Sequence, residues 1–263
     1  NGTWTWEKFH EVSKAIASGD GDIYGASVYT WPDSQLVMQA QSYKQLISSD
    51  GTLDGDSQYL AWLKLAKAME EDGSMWPLID TKVSKIHYSK QFSDGRVGML
   101  LQGVWFPDFL NTARRDNLLK GFSWDDWGVT RLPSNEAEYA TYGIPTLNHV
   151  TSYAKNKKGA IKFLAWMAGP EGAKIAAKSG VLPAVVTPEV KELLAPNFPD
   201  KKSLEYFTED VRVFPIMMDK YGSRVTSLVG GLTEEYLLGK WTSDEAFMEH
   251  FNKQLKDIAA STR

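Results

Sequence analysis

The sequence predicts an α/β fold built on a mainly parallel sheet. Three observations carry this expectation. Short stretches of strand character alternate with longer stretches of helical periodicity. Hydrophobic residues make up 43% and charged residues 24% of the chain, the balance of an ordinary globular protein. The 263 residues suffice for one large core or two modest ones, since single cores stop growing near ~250–300 residues.

Taken in order, Thr5 caps a first helix, in which Trp6, Phe9, Val12 and Ile16 recur on one face. Ser18 and Gly19 end it, with Gly19 able to take the left-handed conformation. Asp20-Gly21-Asp22 turns the chain into a strand over 23–29, which runs into Trp31-Pro32. A helix is expected over 34–47, then a polar loop over 50–56. The loop's aspartates miss the EF-hand spacing and no Glu closes it, so Asp56 reads as the cap of a helix over 57–71. Leu60, Leu63 and Ala66 share a face of that helix, and Gly73 stops it. A short helix over 84–92, a strand over 96–102 and a helix over 108–117 follow. Strands are expected over 127–133, stopped by Pro133, and around 142–147, where Pro145 favours a sheet edge.

Beyond Asn156 the pattern is mostly helical. Asn156 caps a helix over 157–167 with Ile161, Leu164 and Ala168 on one stripe. Gly169-Pro170 breaks it, a helix resumes over 171–178, and 180–183 is an extended link. Thr187-Pro188 starts a short helix. A helix over 219–238 ends at Gly239 and is weakened by Gly230-Gly231. Thr242-Ser243-Asp244-Glu245 reads as a capping box, Thr242 paired with Glu245, for the last helix, striped with Phe247, Phe251, Leu255 and Ile258.

Several chemistries are excluded. With no cysteine there are no disulfides, thiolate metal sites or cysteine nucleophiles. The net charge is 29 − 33 = −4 with no basic block, which argues against a nucleic-acid surface. No apolar run approaches the roughly 18 residues of a membrane span. His10, His87, His149 and His250 are scattered, without zinc-site spacing, so no metal is expected. No Gly-x-Ser-x-Gly elbow or Walker loop occurs. The glycines at 19, 21 and 25 miss the dinucleotide fingerprint by one residue and precede a strand, so no cofactor is expected. A glycosidase carboxylate pair is defined in space, and the sequence leaves it open.

The unusual feature is aromatic: 10 Trp, 11 Tyr and 11 Phe. A sugar's C–H face packs on such rings while its hydroxyls need hydrogen bonds, and Trp and Tyr join an apolar face to a polar handle. For any single Trp a place in the core is the commoner explanation.

Three groups of motifs carry a resemblance to a known family. The first is Thr5-Trp6-Glu7-Lys8-Phe9 followed by Tyr29-Thr30-Trp31-Pro32. The second is Phe92, Gly95, Met99, Gly103 and Trp105 in the pattern F-x-x-G-x-x-x-M-x-x-x-G-x-W. The third is Trp127-Gly128, Leu132-Pro133, Tyr142-Gly143, Ala160 to Phe163-Leu164, and Pro170-Glu171-Gly172, with Leu182-Pro183 beyond. In order and spacing these resemble the extracellular solute-binding proteins of ABC importers, family 1, the maltose-binding-protein-like group. The resemblance implies a periplasmic-binding-protein-like (type II) fold with two lobes and a hinge. Family members are longer, so this chain is expected to be a truncated or proteolysed piece with the second lobe essentially complete and the first partial. It implies that 1–135 is the body of the second lobe, 136–190 returns to the first, and 191–263 completes the second.

It also implies a function without bond chemistry. A sugar or oligosaccharide is held reversibly in the inter-lobe cleft, and a monomer delivers it to the permease subunits in the periplasm or at the cell surface, where the parent is a lipoprotein. Carried over residue by residue, Trp105 is the first candidate for stacking on a sugar. Tyr29 and Trp31 match the aromatic motif at a strand end, with Tyr29 favoured for the cleft because Trp31 is able to pack beneath it instead. Tyr142 and Gly143 match the re-entry beside the cleft. Tyr221 matches a late aromatic, with Asp219 or Arg224 as its polar partner. Ser27 and Gln102 are weaker polar candidates, and Trp4, Trp6, Trp62 and Trp166 are assigned to the core or surface. The alternatives from other classes are a glycoside hydrolase and a sugar-sensing surface module.

Overall fold

A computed structural model describes residues 3–19, 22–53, 58–143, 146–215 and 219–261. Asp20 and Gly21 of the expected turn, the Asp56 cap with Ser57, and Pro145 lie outside these residues.

Helix α1 (Trp6–Ile16) starts as its cap requires: Thr5 Oγ1 accepts from Lys8 N, and Gly19 beyond the end has φ +80°. Strand β1 (Tyr24–Val28) follows, then a 3-10 turn Pro32–Leu36 and a short helix α2 (Val37–Gln41). Helices α3 (Gln58–Glu71), α4 (Leu78–Ser84) and α5 (Tyr88–Ser93) lead to strand β2 (Val97–Leu101) and helix α6 (Phe106–Arg115). Strand β3 (Ala140–Gly143) precedes helices α7 (Lys157–Met167), α8 (Pro170–Lys178), α9 (Pro188–Leu194) and α10 (Lys201–Phe207). Strand β4 (Arg212–Pro215) and helices α11 (Gly222–Leu237) and α12 (Asp244–Ser261) complete the order.

Among the described residues both strand pairs are parallel, as the α/β reading requires, but they form two separate ribbons rather than one sheet. β1 lies on β2 with Val28 opposite Leu101, and β3 lies on β4 with Tyr142 opposite Phe214. Two clusters of buried side chains surround them. The larger joins Trp6, Phe9, Tyr59, Trp62, Leu63, Val229, Phe247, Phe251 and Leu255, from α1, α3, α11 and α12. Trp6 and Trp62 meet edge to face at 5.4 Å, the arrangement aromatic quadrupoles favour. The smaller joins Phe106 and Leu110 of α6, Trp127, Ala173 and Ala177 of α8, Val190 and Leu194 of α9, Phe198 and Phe207. Trp6 and Trp62 are thus core residues, and Trp166 is exposed. None of the described helices is long and apolar enough to cross a membrane.

Three expectations are corrected. The helix over 34–47 stops at Gln41: Tyr43 takes φ +59°, and Ile47 leaves in an extended bridge to Leu53. The buried Gln41 side chain explains the tight packing there, since it accepts from Trp6 Nε1 at 3.0 Å and donates to Pro133 O at 2.8 Å. Residues 127–133 form no strand, because side chains take the groups a ladder would use. Val129 N donates to Ser203 Oγ, Leu132 N to Tyr139 Oη, and Arg131 O accepts from Trp4 Nε1, each at 3.0 Å. The strand expected around 142–147 is Ala140–Gly143, with 146–150 outside any ladder. Helices α4 and α10 and strand β4 add elements the sequence reading omitted.

Candidate functional site

In parallel sheets ligands gather beyond the carboxyl ends of the strands. Beyond β1 and β2 stand four of the aromatic candidates. The paired strands end together at Val28 and Leu101, so Tyr29 and Trp31 leave β1 at the level where Trp105 follows β2. Pro32 at the start of the 3-10 turn ends the extended run and swings Asp33 back beneath Tyr29. On the β2 side Gly103 admits Trp105, because a Cβ there would collide with the six-membered ring of the indole.

The geometry is compact. Trp31 and Trp105 have centroids 5.6 Å apart and planes tilted by 30°. Tyr29 meets both edge-on, 5.8 Å from Trp31 and 5.9 Å from Trp105. Trp31 is 54% exposed, whereas Tyr29 is buried. Trp31 therefore does not pack beneath Tyr29; the tyrosine is the floor and the tryptophan reaches into solvent. Trp105 Nε1 donates to Tyr88 Oη at 3.2 Å, which ties the indole to α5.

A hydroxyl network runs under these rings. Tyr29 Oη donates to Asp33 Oδ2 at 2.6 Å and is also hydrogen-bonded to Tyr142 Oη, which arrives on β3. Burial pushes the Tyr29 phenol far above its ordinary range, reinforced by the neighbouring Tyr142 and Asp33, and burial likewise raises Tyr142. Asp33 is itself buried; desolvation raises its carboxyl, and the hydrogen bond from Tyr29 works in the opposite direction. Gly143 follows Tyr142 on β3 opposite Pro215, where a Cβ would press on Val213.

The other candidates sit elsewhere. Tyr221 belongs to the larger core, 3% exposed, beside Leu46, Ile47 and Val225. Asp219 accepts from Tyr221 N at 2.9 Å and lines the same small depression. Arg224 donates to Ser261 Oγ at 2.5 Å, at the end of α12. Ser27 is buried and donates to Gln91 Oε1 at 2.9 Å, and Gln102 Oε1 accepts from Gly103 N at 2.9 Å. Asp33 and Tyr88 are members of the site that sequence reasoning missed. Asp33 carried a faint signal, standing two residues beyond Trp31; Tyr88 carried none. Among the described residues no His, Asp and Glu group could hold a metal ion.

The arrangement offers a tilted indole pair, one face open to solvent, with phenol oxygens beneath. It can stack on an apolar ring face.

Solved structures share this fold at low sequence identity. A sugar transporter from Rhizobium etli in an open conformation superposes with TM-score 0.73 at 22% identity, covering 98% of this chain and 64% of that one. An ABC substrate-binding protein of Listeria monocytogenes in complex with cycloalternan gives 0.74 at 18% identity, covering 99% and 65%. The maltose/maltodextrin-binding domain MalE from Bdellovibrio bacteriovorus bound to maltotriose gives 0.62 at 19% identity, covering 98% and 66%. The chain thus spans just under two thirds of the length of these proteins and carries the periplasmic-binding-protein-like fold in partial form. No curated protein matches it in sequence. The bacterial extracellular solute-binding proteins match over residues 1–205, most of the chain, and to that family it belongs.

Proposed function

We propose that the chain carries one wall of a carbohydrate site in the solute-binding component of an ABC importer. The observation that carries this reading is the Trp31–Trp105 pair, 5.6 Å apart, standing over the Tyr29–Tyr142–Asp33 network beyond the ends of β1 and β2. The indole faces take the C–H face of a sugar ring, and the phenol oxygens below meet its hydroxyls. Gly143 keeps the adjoining backbone slim. Tyr221, Asp219 and Arg224 are left out of this wall, because their contacts lie in the larger core and along α12.

In this reading residues 1–135 and 191–263 build the second lobe, and 136–190 return to the first. Exposure along α7 supports the return: Phe163, 58% exposed, and Trp166, 46%, stack on one face of the helix and offer an apolar surface suited to the remainder of the first lobe. Closure of the two lobes about the hinge buries the ligand, and no bond is made or broken. The loaded protein then delivers the sugar to permease subunits from the periplasm or cell surface.

The test is a tryptophan-fluorescence titration of the full gene product with maltotriose, cycloalternan and a polyol such as D-mannitol. Saturable quenching or blue shift is expected with at least one of them. Trp105→Ala should weaken that binding by roughly tenfold or more, the scale of one well-stacked ring. Turnover of the glycan at catalytic rates on prolonged incubation would overturn the reading in favour of a glycoside hydrolase.

A further inference from the structure

Asp33 is a buried carboxylate whose hydrogen-bond partner at the site is a phenol rather than a cation. It is 7% exposed, and Tyr29 Oη donates to it at 2.6 Å. Counting protons along the network gives it a direction. Tyr29 Oη is the donor to Asp33 Oδ2, so the single proton of Tyr29 is committed to that carboxyl. The Tyr29 oxygen must then accept from Tyr142, which commits the single proton of Tyr142 in turn. What remains at the Tyr142 oxygen is lone-pair capacity alone. A chain of hydroxyls anchored on a carboxylate thus presents an acceptor, never a donor, at its far end.

We infer that Asp33 is a positioning and specificity-determining residue: by orienting the Tyr29–Tyr142 chain, it makes Tyr142 an acceptor that selects ligands offering a hydroxyl donor at that point. The inference rests on the carbohydrate reading for the identity of the ligand, but the direction of the chain rests on Asp33, Tyr29 and Tyr142 alone. Asp33 reaches the ligand only through the two tyrosines. The chemistry selected is a free hydroxyl of a sugar or polyol; an ether oxygen at the same place has no proton to give and leaves the Tyr142 lone pair facing another lone pair. Among the described residues no cation pairs with Asp33; the carboxylate fixes the direction, whereas an amide or hydroxyl at position 33 can both donate and accept and would leave the chain free to reverse.

Two measurements on the full gene product test this. The first needs no ligand. With tyrosine labelled at Cζ, and the signals assigned through Tyr29→Phe and Tyr142→Phe, Asp33→Asn should move the resonances of both Tyr29 and Tyr142. A Tyr142 resonance that stays put while Tyr29 moves means that the chain is not relayed, and overturns the inference. The second is a double-mutant cycle on the affinity for maltotriose and cycloalternan. Asp33→Asn and Tyr142→Phe should each weaken binding about tenfold, the worth of one hydrogen bond to a ligand hydroxyl. The double variant should be no weaker than Tyr142→Phe alone, because Asp33 acts through Tyr142. Losses that multiply to about a hundredfold, or an Asp33→Asn variant that binds like the wild type, overturn it. If neither glycan binds the wild type while both tyrosine resonances move in Asp33→Asn, the carbohydrate reading falls and the oriented chain stands.

Discussion

Helices α12 and α7 begin alike and end in different surroundings. Each is opened by a side chain that accepts from the first turn: Ser243 Oγ from Ala246 N at 3.2 Å, Asn156 Oδ1 from Gly159 N at 2.9 Å. Each carries an apolar stripe. In α12 the stripe is consumed, with Phe247, Phe251 and Leu255 all 0% exposed. In α7 no residue is buried: Ile161 and Ala168 of its expected stripe are exposed and Leu164 is half-buried, and off that stripe Phe163 and Trp166 stack on each other in solvent at 5.8 Å. Periodicity therefore tells which face of a helix needs a partner, and leaves open whether that partner lies within these residues.

The largest effect that can break the comparison is a ring deletion on each helix. Phe251→Ala should cost about 3–5 kcal/mol, from lost burial and the cavity left among Tyr59, Phe247 and their neighbours. Phe163→Ala should change stability by less than about 0.5 kcal/mol, the usual range of an exposed substitution. Urea denaturation of both variants measures this. A loss of more than about 2 kcal/mol for Phe163→Ala would mean that the α7 face is covered in solution.

The core that receives α12 also penalises charge, which sharpens the contrast through pH. Glu70, on α3, accepts from Leu78 N at 2.9 Å, and burial raises its carboxyl from 4.5 to about 7, helped by Asp80 and Glu71. The folded state then holds a proton that the unfolded chain releases. Its contribution is greatest below the unfolded value, near pH 4.5, and is lost as pH rises to about 7. Glu70→Gln removes this dependence. The stability difference between variant and wild type should widen by up to about 3 kcal/mol between pH 4.5 and 8, read by denaturation at three pH values. Ile161→Glu on the open face of α7 should leave the pH profile unchanged; a slope there of similar size would again mean a hidden cover.

Much of the fold and part of the site were legible because local rules act on few residues. Caps at Thr5, Asn156 and Thr187 appear where the side chains predict them. The stripe Phe247, Phe251 and Leu255 faces the core as its spacing requires. The failures involve partners distant in sequence. Residues 127–133 have strand composition, yet Trp4, Tyr139 and Ser203 take their backbone groups first. Gln41 ends its helix among contacts with Trp6 and Pro133, 35 and 92 positions away. Within the site, Tyr29, Trp31, Trp105 and Tyr142 were legible through motif resemblance, and the structure gathers them. Asp33 was not, because nothing in a Pro-Asp turn tells that its carboxylate will be buried under a tyrosine brought in from residue 142.

The smallest effect separates α7 from a helix bound into the core, here α1, by where it is felt. Thr5 and Asn156 each satisfy one first-turn amide, and replacing either by Ala should cost its helix about 1 kcal/mol. Helix α1 is bound into the larger core through Trp6 and Phe9, so it cannot fray without disturbing them. The Thr5→Ala loss should therefore appear in full in the global denaturation midpoint. Helix α7 places no side chain in either core and can open while the rest stays folded. Asn156→Ala should leave the midpoint almost unmoved and instead speed hydrogen exchange of the α7 amides about fivefold, the kinetic image of the same 1 kcal/mol. A midpoint shift from Asn156→Ala equal to that from Thr5→Ala would show that α7 unfolds only with the whole chain, and that its exposed stripe is already part of a cooperative unit.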